Sequence, residues 1–175
     1  MVQNPNSPGL TLPVSKRDRL QGSLTAPIIL VQYGNYQCPR CAQIQPVIQT
    51  IQSQVSSLCF VFRHFPRSHI HPHAQRAAEA AEAAGSQGKF WEMHHLLLKK
   101  QHALGNGNLL EYALELELDA NQFLREVSGH IHAPKIREDY QSGIKSGVTQ
   151  TPTLFINGIE YKGGLNLDEL MAVIR

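Results

Sequence analysis

The sequence predicts an α/β protein whose elements run β-α-β, then helices alone, then β-β-α. Three observations predict it. Ile28-Ile29-Leu30-Val31 and Leu58-Cys59-Phe60-Val61-Phe62 have the length and composition of buried strands. Between them Ile44, Val47, Ile48, Ile51 and Val55 recur at spacings of three and four, the period of a helix with one apolar face. Near the far end Asn157-Gly158 separates Thr153–Ile156 from Ile159–Lys162, a strong short-range signal for a hairpin.

Taken in order, residues 1–9 read as a flexible leader, with Pro5 and Pro8 among polar residues. Thr11–Val14 is expected as a short edge strand, because Pro13 has no N–H to give a neighbour. Lys16–Ala26 is polar and expected to connect. The helix after Cys38 contains Pro46, which is expected to kink it. It is long enough as a crossover to make the two strands parallel, and Arg63-His64-Phe65-Pro66 ends the second. From Pro72 to Val148 no strand pattern occurs. Pro72 suits a first helical position, and Ala74–Ala84 is rich in Ala and Glu up to Gly85. Further helices are expected at Lys89–Gln101, closed by a Gly105-Asn106-Gly107 turn, and at Leu109–Leu118. Another starts at Asp119, with Gln122 as capping-box partner, and a fifth runs over Pro134–Lys145. After the hairpin, Gly163-Gly164 breaks the strand and Asn166 with Glu169 caps a last helix through Ile174.

A chain of 175 residues fits one domain, or one domain carrying a substantial insertion. Its net charge of +2 gives no ground for a general nucleic-acid or membrane-surface role. The basic clusters Lys16-Arg17 with Arg19, and Lys99-Lys100, read as solvated faces. No run approaches the length of a membrane-spanning helix, so no membrane insertion is expected. Met1–Pro13 has neither a basic start nor an apolar stretch and does not read as a secretory signal. Three cysteines, two of them in a C-x-x-C, point to a cytoplasmic protein with redox or metal chemistry.

That C-x-x-C, Cys38-Pro39-Arg40-Cys41, sits at a strand-to-helix turn with the first cysteine near the helix N-terminus. Unpaired backbone N–H groups and the helix dipole favour a thiolate there. Arg40 adds a cation between the two sulfurs. Disulfide exchange needs an attacking thiolate and a second thiol close enough to release the mixed disulfide, and two intervening residues on one helical turn meet that need. Zinc is the weaker reading. His69, His71 and His73 form a cluster, but a structural zinc site takes four ligands and no second C-x-x-C is present. His71 and His73 flank Pro72 at a helix entrance and suit surface or capping roles. Cys59, within an apolar run, reads as a small core residue, Phe90 and Trp91 as packing, and His64 as a structural strand-end residue.

Several segments occur together: Tyr36-Gln37-Cys38-Pro39 with Cys41, Phe62-Arg63-His64-Phe65-Pro66, His71-Pro72-His73-Ala74, Ala78-Glu79-Ala80-Ala81, Gly88-Lys89-Phe90-Trp91 and Thr151-Pro152-Thr153. Over nearly its whole length the chain resembles the DsbA-like branch of the thioredoxin fold. Within that branch it is similar to the bacterial cytosolic subgroup that includes the thioredoxin-like domains accompanying sodium/proton antiporters. The resemblance implies a thioredoxin core in two parts, residues 10–66 and 149–175, with an all-helical insertion over 67–148 roofing the active site. It implies that Cys38 attacks and Cys41 resolves, and that Pro152 is a cis-proline. Thr151 before it would face the site and offer its backbone to an extended substrate. Two departures stand out. Family members commonly carry an acid six residues before the first cysteine and an aspartate three before it, where this chain has Gln32 and Asn35.

The neutral amides at 32 and 35 remove negative charge that would oppose a Cys38 thiolate, so with Arg40 they are expected to raise the reduction potential. The lack of an acid at 32 is expected to slow the resolving step. The function implied is a thiol–disulfide oxidoreductase acting on protein or peptide substrates, with no cofactor beyond the Cys38–Cys41 disulfide. Glutathione or a thioredoxin-type reductase is the candidate electron source. Two alternatives remain: a glutathione-linked reductase on the same fold, and a redox-sensing module, for instance of an ion transporter, that changes affinity without turnover.

Overall fold

Five strands form the central sheet of the computed structural model, which describes residues 9–175. The expected leader, apart from Gly9, lies outside the described residues. The strands are β1 (Arg19–Gln21), β2 (Ile28–Gly34), β3 (Leu58–His64), β4 (Thr153–Ile156) and β5 (Ile159–Tyr161), in the order β1-β3-β2-β4-β5. β2 and β3 are parallel, in register from Ile28 against Leu58 to Gly34 against His64, and the other pairings are antiparallel. Helix α1 (Pro39–Gln54) is the crossover between β2 and β3. Helices α2 (Ala74–Ser86), α3 (Phe90–Lys99), α4 (Asn106–Glu115), α5 (Ala120–Ser128) and α6 (Ala133–Lys145) all lie between β3 and β4, and α7 (Leu167–Ile174) follows β5. This is a thioredoxin fold with the helical block inserted after β3.

Side chains alternate across the sheet, and both faces are covered. Leu30, Leu58, Phe60, Phe62 and Leu154 pack with Ile44, Ile48 and Ile51 of α1 and Leu170 and Ile174 of α7. Val31, Tyr33, Cys59, Val61 and Phe155 point the other way, where Phe65, Val148 and, less deeply, Tyr140 of α6 complete a second cluster. Burial on both faces is why β2 and β3 read as continuous apolar runs and not as alternating patterns.

The edge strand is not where the sequence suggests. Thr11–Val14 forms no strand, and β1 arises from the stretch expected to connect. Arg63 explains the exchange. β3 continues past Phe62 and buries the Arg63 guanidinium completely. Its Nη1 donates to the Leu12 carbonyl at 2.8 Å and its Nη2 to the Pro13 carbonyl at 3.2 Å. The amide of Thr11 goes to Ser146 Oγ at 3.0 Å. Those backbone groups are committed elsewhere, and β1 pairs with β3 in their place.

Other boundaries shift for local reasons. α1 continues through Pro46, and Thr50 Oγ1 donates to its carbonyl at 2.9 Å. α2 starts at Ala74 and not at Pro72, and it runs past Gly85 to Ser86. Gly105 is the N-cap of α4, so Asn106 and Gly107 are helical and not a turn, and Asn108 Oδ1 accepts the Gly105 N–H at 3.2 Å. Asp119 caps α5 by accepting from Gln122 N at 2.9 Å, but the Gln122 side chain goes to Glu126, so the box is not reciprocal. Asn166 accepts from Glu169 N and caps α7 as the sequence suggests. At the hairpin tip Asn157 and Gly158 have φ of 49° and 80°, the left-handed pair that a two-residue turn between twisted strands requires.

Candidate active site

β2 ends at Gly34 and delivers Cys38 to the start of α1. Cys38 is the N-cap, with φ −79° and ψ 119°, and Pro39 takes the first helical position, where a missing N–H costs nothing. No side chain caps this terminus. The first-turn amides of Arg40 and Cys41 face the Cys38 sulfur and favour its thiolate, and the Cys41 N–H also donates to the Cys38 carbonyl at 3.1 Å.

Cys38 is 5% exposed and Cys41 fully buried behind it. The hydrogen bond from the Cys41 thiol is the main cause that lowers the Cys38 pKa to about 5; burial opposes it, and the Thr151 side chain and the two backbone N–H groups assist. Cys41 moves the opposite way, pushed well up by burial and then by its bond to Cys38 and that sulfur's charge. One thiol is ready to ionise and its neighbour holds its proton.

The loop before β4 closes the site. The Thr151–Pro152 bond is cis, both residues are buried, and the Thr151 carbonyl oxygen lies 3.4 Å from Cys38 Sγ. Asn35 is 2% exposed. Its Oδ1 accepts the Gln37 N–H at 2.9 Å, and its Nδ2 reaches Thr151 Oγ1 and His71 Nδ1, each at 3.3 Å.

Gln32 lies on the same face of β2 as Gly34, fully buried. A Cβ added at Gly34 would stand 3.2 Å from Gln32 Nε2 and 3.3 Å from Cys41 Sγ, so the bare backbone of Gly34 lets amide and thiol approach. Neither Gln32 amide atom has a hydrogen-bond partner among the described residues.

Seven of the eight site residues expected from the sequence thus fall at this turn or the Thr151 loop, and the eighth, Gln32, lies within β2; Arg40, however, acts differently from expectation. It is exposed, and the group that reaches Cys38 is its backbone N–H and not its cation.

Two contributors escaped sequence reasoning. Gln101, just beyond α3, donates from Nε2 to the carbonyls of Tyr36 at 2.9 Å and Cys38 at 2.7 Å, tying the helical block to the turn. No motif marks it. His71 belongs to the noted histidine cluster, but only the fold brings it to Asn35. Among the described residues no three His, Cys, Asp or Glu side chains are grouped as metal ligands.

Further ionisable groups are buried behind the site. Tyr36 Oη lies 2.9 Å from His94 Nδ1. Glu82 of α2 joins His64 Nε2 at 2.8 Å and Arg19 Nη2 at 2.6 Å. Burial pushes the Glu82 carboxyl up, yet His64 and Arg19 outweigh it and hold the group at about 2. Cys59 is fully buried on the opposite face of the sheet, where burial pushes its thiol up. Phe90 is buried in the core and Trp91 packs against it.

The chain is similar to known proteins in both sequence and fold. It is 42% identical over 166 residues to the Na(+)/H(+) antiporter NhaA 1 of Salinispora arenicola, covering 94% of this chain and 26% of that protein. The chain therefore spans about a quarter of the length of the curated relatives it matches. Its fold is similar to that of oxidised BdbD from Bacillus subtilis, with a TM-score of 0.85, 22% identity and 97% of each chain covered. It is also similar to α-DsbA1 of Wolbachia pipientis, with a TM-score of 0.79, 23% identity, and 94% and 92% of the two chains covered. The family described as Thioredoxin matches residues 14–175. Its strand order and its Cys38–Cys41 turn agree with this match, and the chain belongs to the thioredoxin family.

Proposed function

We propose that this protein is a thiol–disulfide oxidoreductase that exchanges disulfides with protein or peptide substrates through Cys38. One observation carries the reading: within a single helical turn, Cys38 is held at about 5 while Cys41 is pushed well up. At neutral pH the first is a thiolate and the second a thiol, the division of labour that exchange requires.

The Cys38 thiolate attacks one sulfur of a substrate disulfide, forming a mixed disulfide and releasing the other sulfur as a thiolate. Cys41 then loses its proton and attacks Cys38 Sγ. A Cys38–Cys41 disulfide forms, and the substrate leaves with the electron pair on its second sulfur. Thr151 and Pro152 line the approach, and the Thr151 backbone is available to an extended peptide. Gln32 offers Cys41 no carboxylate to take its proton, so the resolving step is the slow one.

An external thiol must restore the dithiol, and glutathione or a thioredoxin-type reductase supplies it. In a reducing cytoplasm the pair rests as the dithiol, so reduction and isomerisation are favoured over net oxidation. Apart from the cysteine pair no cofactor is required.

A second reading has its own support. The curated relatives are named as sodium/proton antiporters, and this chain spans only a quarter of them. In that reading the same cysteine pair senses redox state and alters the affinity of a transporter-linked module without turnover.

Insulin reduction, assayed beside a Cys38→Ser control, separates the two. Turnover that disappears in the control supports the oxidoreductase. A disulfide that forms reversibly in glutathione buffers but turns nothing over favours the sensor.

A further inference from the structure

Three hydrogen bonds leave Asn35 no freedom. Its Oδ1 is held by the Gln37 N–H at 2.9 Å, so the amide cannot flip without losing that bond and turning oxygen toward its other partners. Both hydrogens of Nδ2 are thereby aimed away, one at Thr151 Oγ1 and one at His71 Nδ1, each at 3.3 Å. A threonine hydroxyl has one hydrogen to give. Once its oxygen accepts from Asn35, that hydrogen is left for the sulfurs, and the Thr151 side chain is among the groups that lower the pKa of both Cys38 and Cys41. The Cys38 thiol donates to the Thr151 carbonyl at 3.4 Å, which places the residue directly beside the sulfur.

We propose that Asn35 is a positioning residue for the nucleophile, acting through Thr151: its amide donates to Thr151 Oγ1 and so turns the hydroxyl hydrogen toward the Cys38 sulfur. This rests on the reading of Cys38 as the attacking thiol. It goes further in giving the amide at position 35 a directional role and not merely the absence of charge. A carboxylate here accepts hydrogen bonds only. It draws the Thr151 hydroxyl hydrogen to itself, and the sulfur loses a donor as well as gaining a negative neighbour. The ionisable groups facing Cys38 are Cys41 from α1 and, beyond Asn35, His71 from the loop before α2.

The test is a double-mutant cycle on the whole chain, read as the pH midpoint of Cys38 alkylation by iodoacetamide. Asn35→Asp is expected to raise the midpoint by about one unit or more, a tenfold loss of thiolate at a given pH below it. Thr151→Val is expected to raise it as well. In the T151V background Asn35→Asp is expected to have half its effect or less, because only its charge still acts. Asn35→Ala provides the same cycle without a new charge, should the aspartate variant fail to fold, and each variant's thermal unfolding is recorded beside its midpoint.

Equal shifts from Asn35→Asp in both backgrounds, or a wild-type midpoint retained by Asn35→Ala, overturn the proposal. A wild-type midpoint near that of a free thiol would instead remove Cys38 as the activated nucleophile, a distinct result that defeats the underlying reading.

Discussion

Cys38 Sγ lies 3.4 Å from the carbonyl oxygen of Thr151, a residue 113 positions away in the chain. The contact joins the start of α1 to the loop before β4, so the surroundings of this sulfur are built from elements far apart in the chain. Its acidity has a consequence for stability. The folded Cys38 pKa is depressed to about 5 from an ordinary value near 9. The thiolate's contribution to the reduced protein is therefore complete above the unfolded value and is lost as pH falls through about 5. The disulfide form has no thiolate to lose. The gap in melting temperature between oxidised and reduced protein should widen in favour of the oxidised form between pH 8 and pH 4.5, and a gap independent of pH would refute this.

The same asymmetry sets the redox balance. A stabilised thiolate favours the dithiol, so the Cys38–Cys41 potential is expected to lie above thioredoxin's roughly −270 mV. Equilibration in glutathione buffers measures it, and a value at or below that figure counts against the argument.

Glu82 gives an acid-side prediction. Burial raises its pKa, but hydrogen bonds and charge from His64 and Arg19 bring it down to about 2. A depressed carboxylate contributes stability that is present above its unfolded pKa and lost as pH falls toward the folded one. Unfolding free energy should therefore drop between about pH 4.3 and pH 2. Glu82→Gln should flatten that limb in denaturant titrations, and an unchanged limb would show that other groups govern it.

Arg63 and Asp18 form an ion pair whose side chains are 0% and 6% exposed. Removing one partner leaves the other buried and uncompensated, at a cost of about 3–5 kcal/mol. Arg63→Met also frees the carbonyls of Leu12 and Pro13. Chemical denaturation should show a loss of that size, and a loss below about 1 kcal/mol would mean the pair contributes little.

Gly34 is tightly enclosed. An added Cβ would stand 2.9 Å from Phe62 Cε2 as well as close to Gln32 and Cys41. Gly34→Ala should destabilise by about 1–3 kcal/mol through overpacking. It should also slow mixed-disulfide resolution more than the initial attack, because Cys41 and not Cys38 is displaced. Equal slowing of both steps in stopped-flow assays would argue otherwise.

Much of this was legible in the chain itself, for physical reasons. Periodicity and breakers are local, so the buried pair β2 and β3, the α1 crossover, the Asn157-Gly158 hairpin and the Asn166 cap could be read from neighbouring residues. The cysteine spacing, the proline at the first helical position and the helix start that favours a thiolate are local too. Tertiary structure decided the rest. An arginine in an apolar strand gives no local sign that it will be buried and take the Leu12 and Pro13 carbonyls, and that choice moved the edge strand to β1. Nothing beside Arg40 says that its backbone N–H and not its charge will serve the sulfur. Gln101 and His71 reach the site only after the helical block has packed. The sequence determined by itself which two sulfurs share the turn, because that follows from spacing along one helical turn. How acidic each one is was decided only in three dimensions, because burial and hydrogen-bond donors come from residues far apart in the chain.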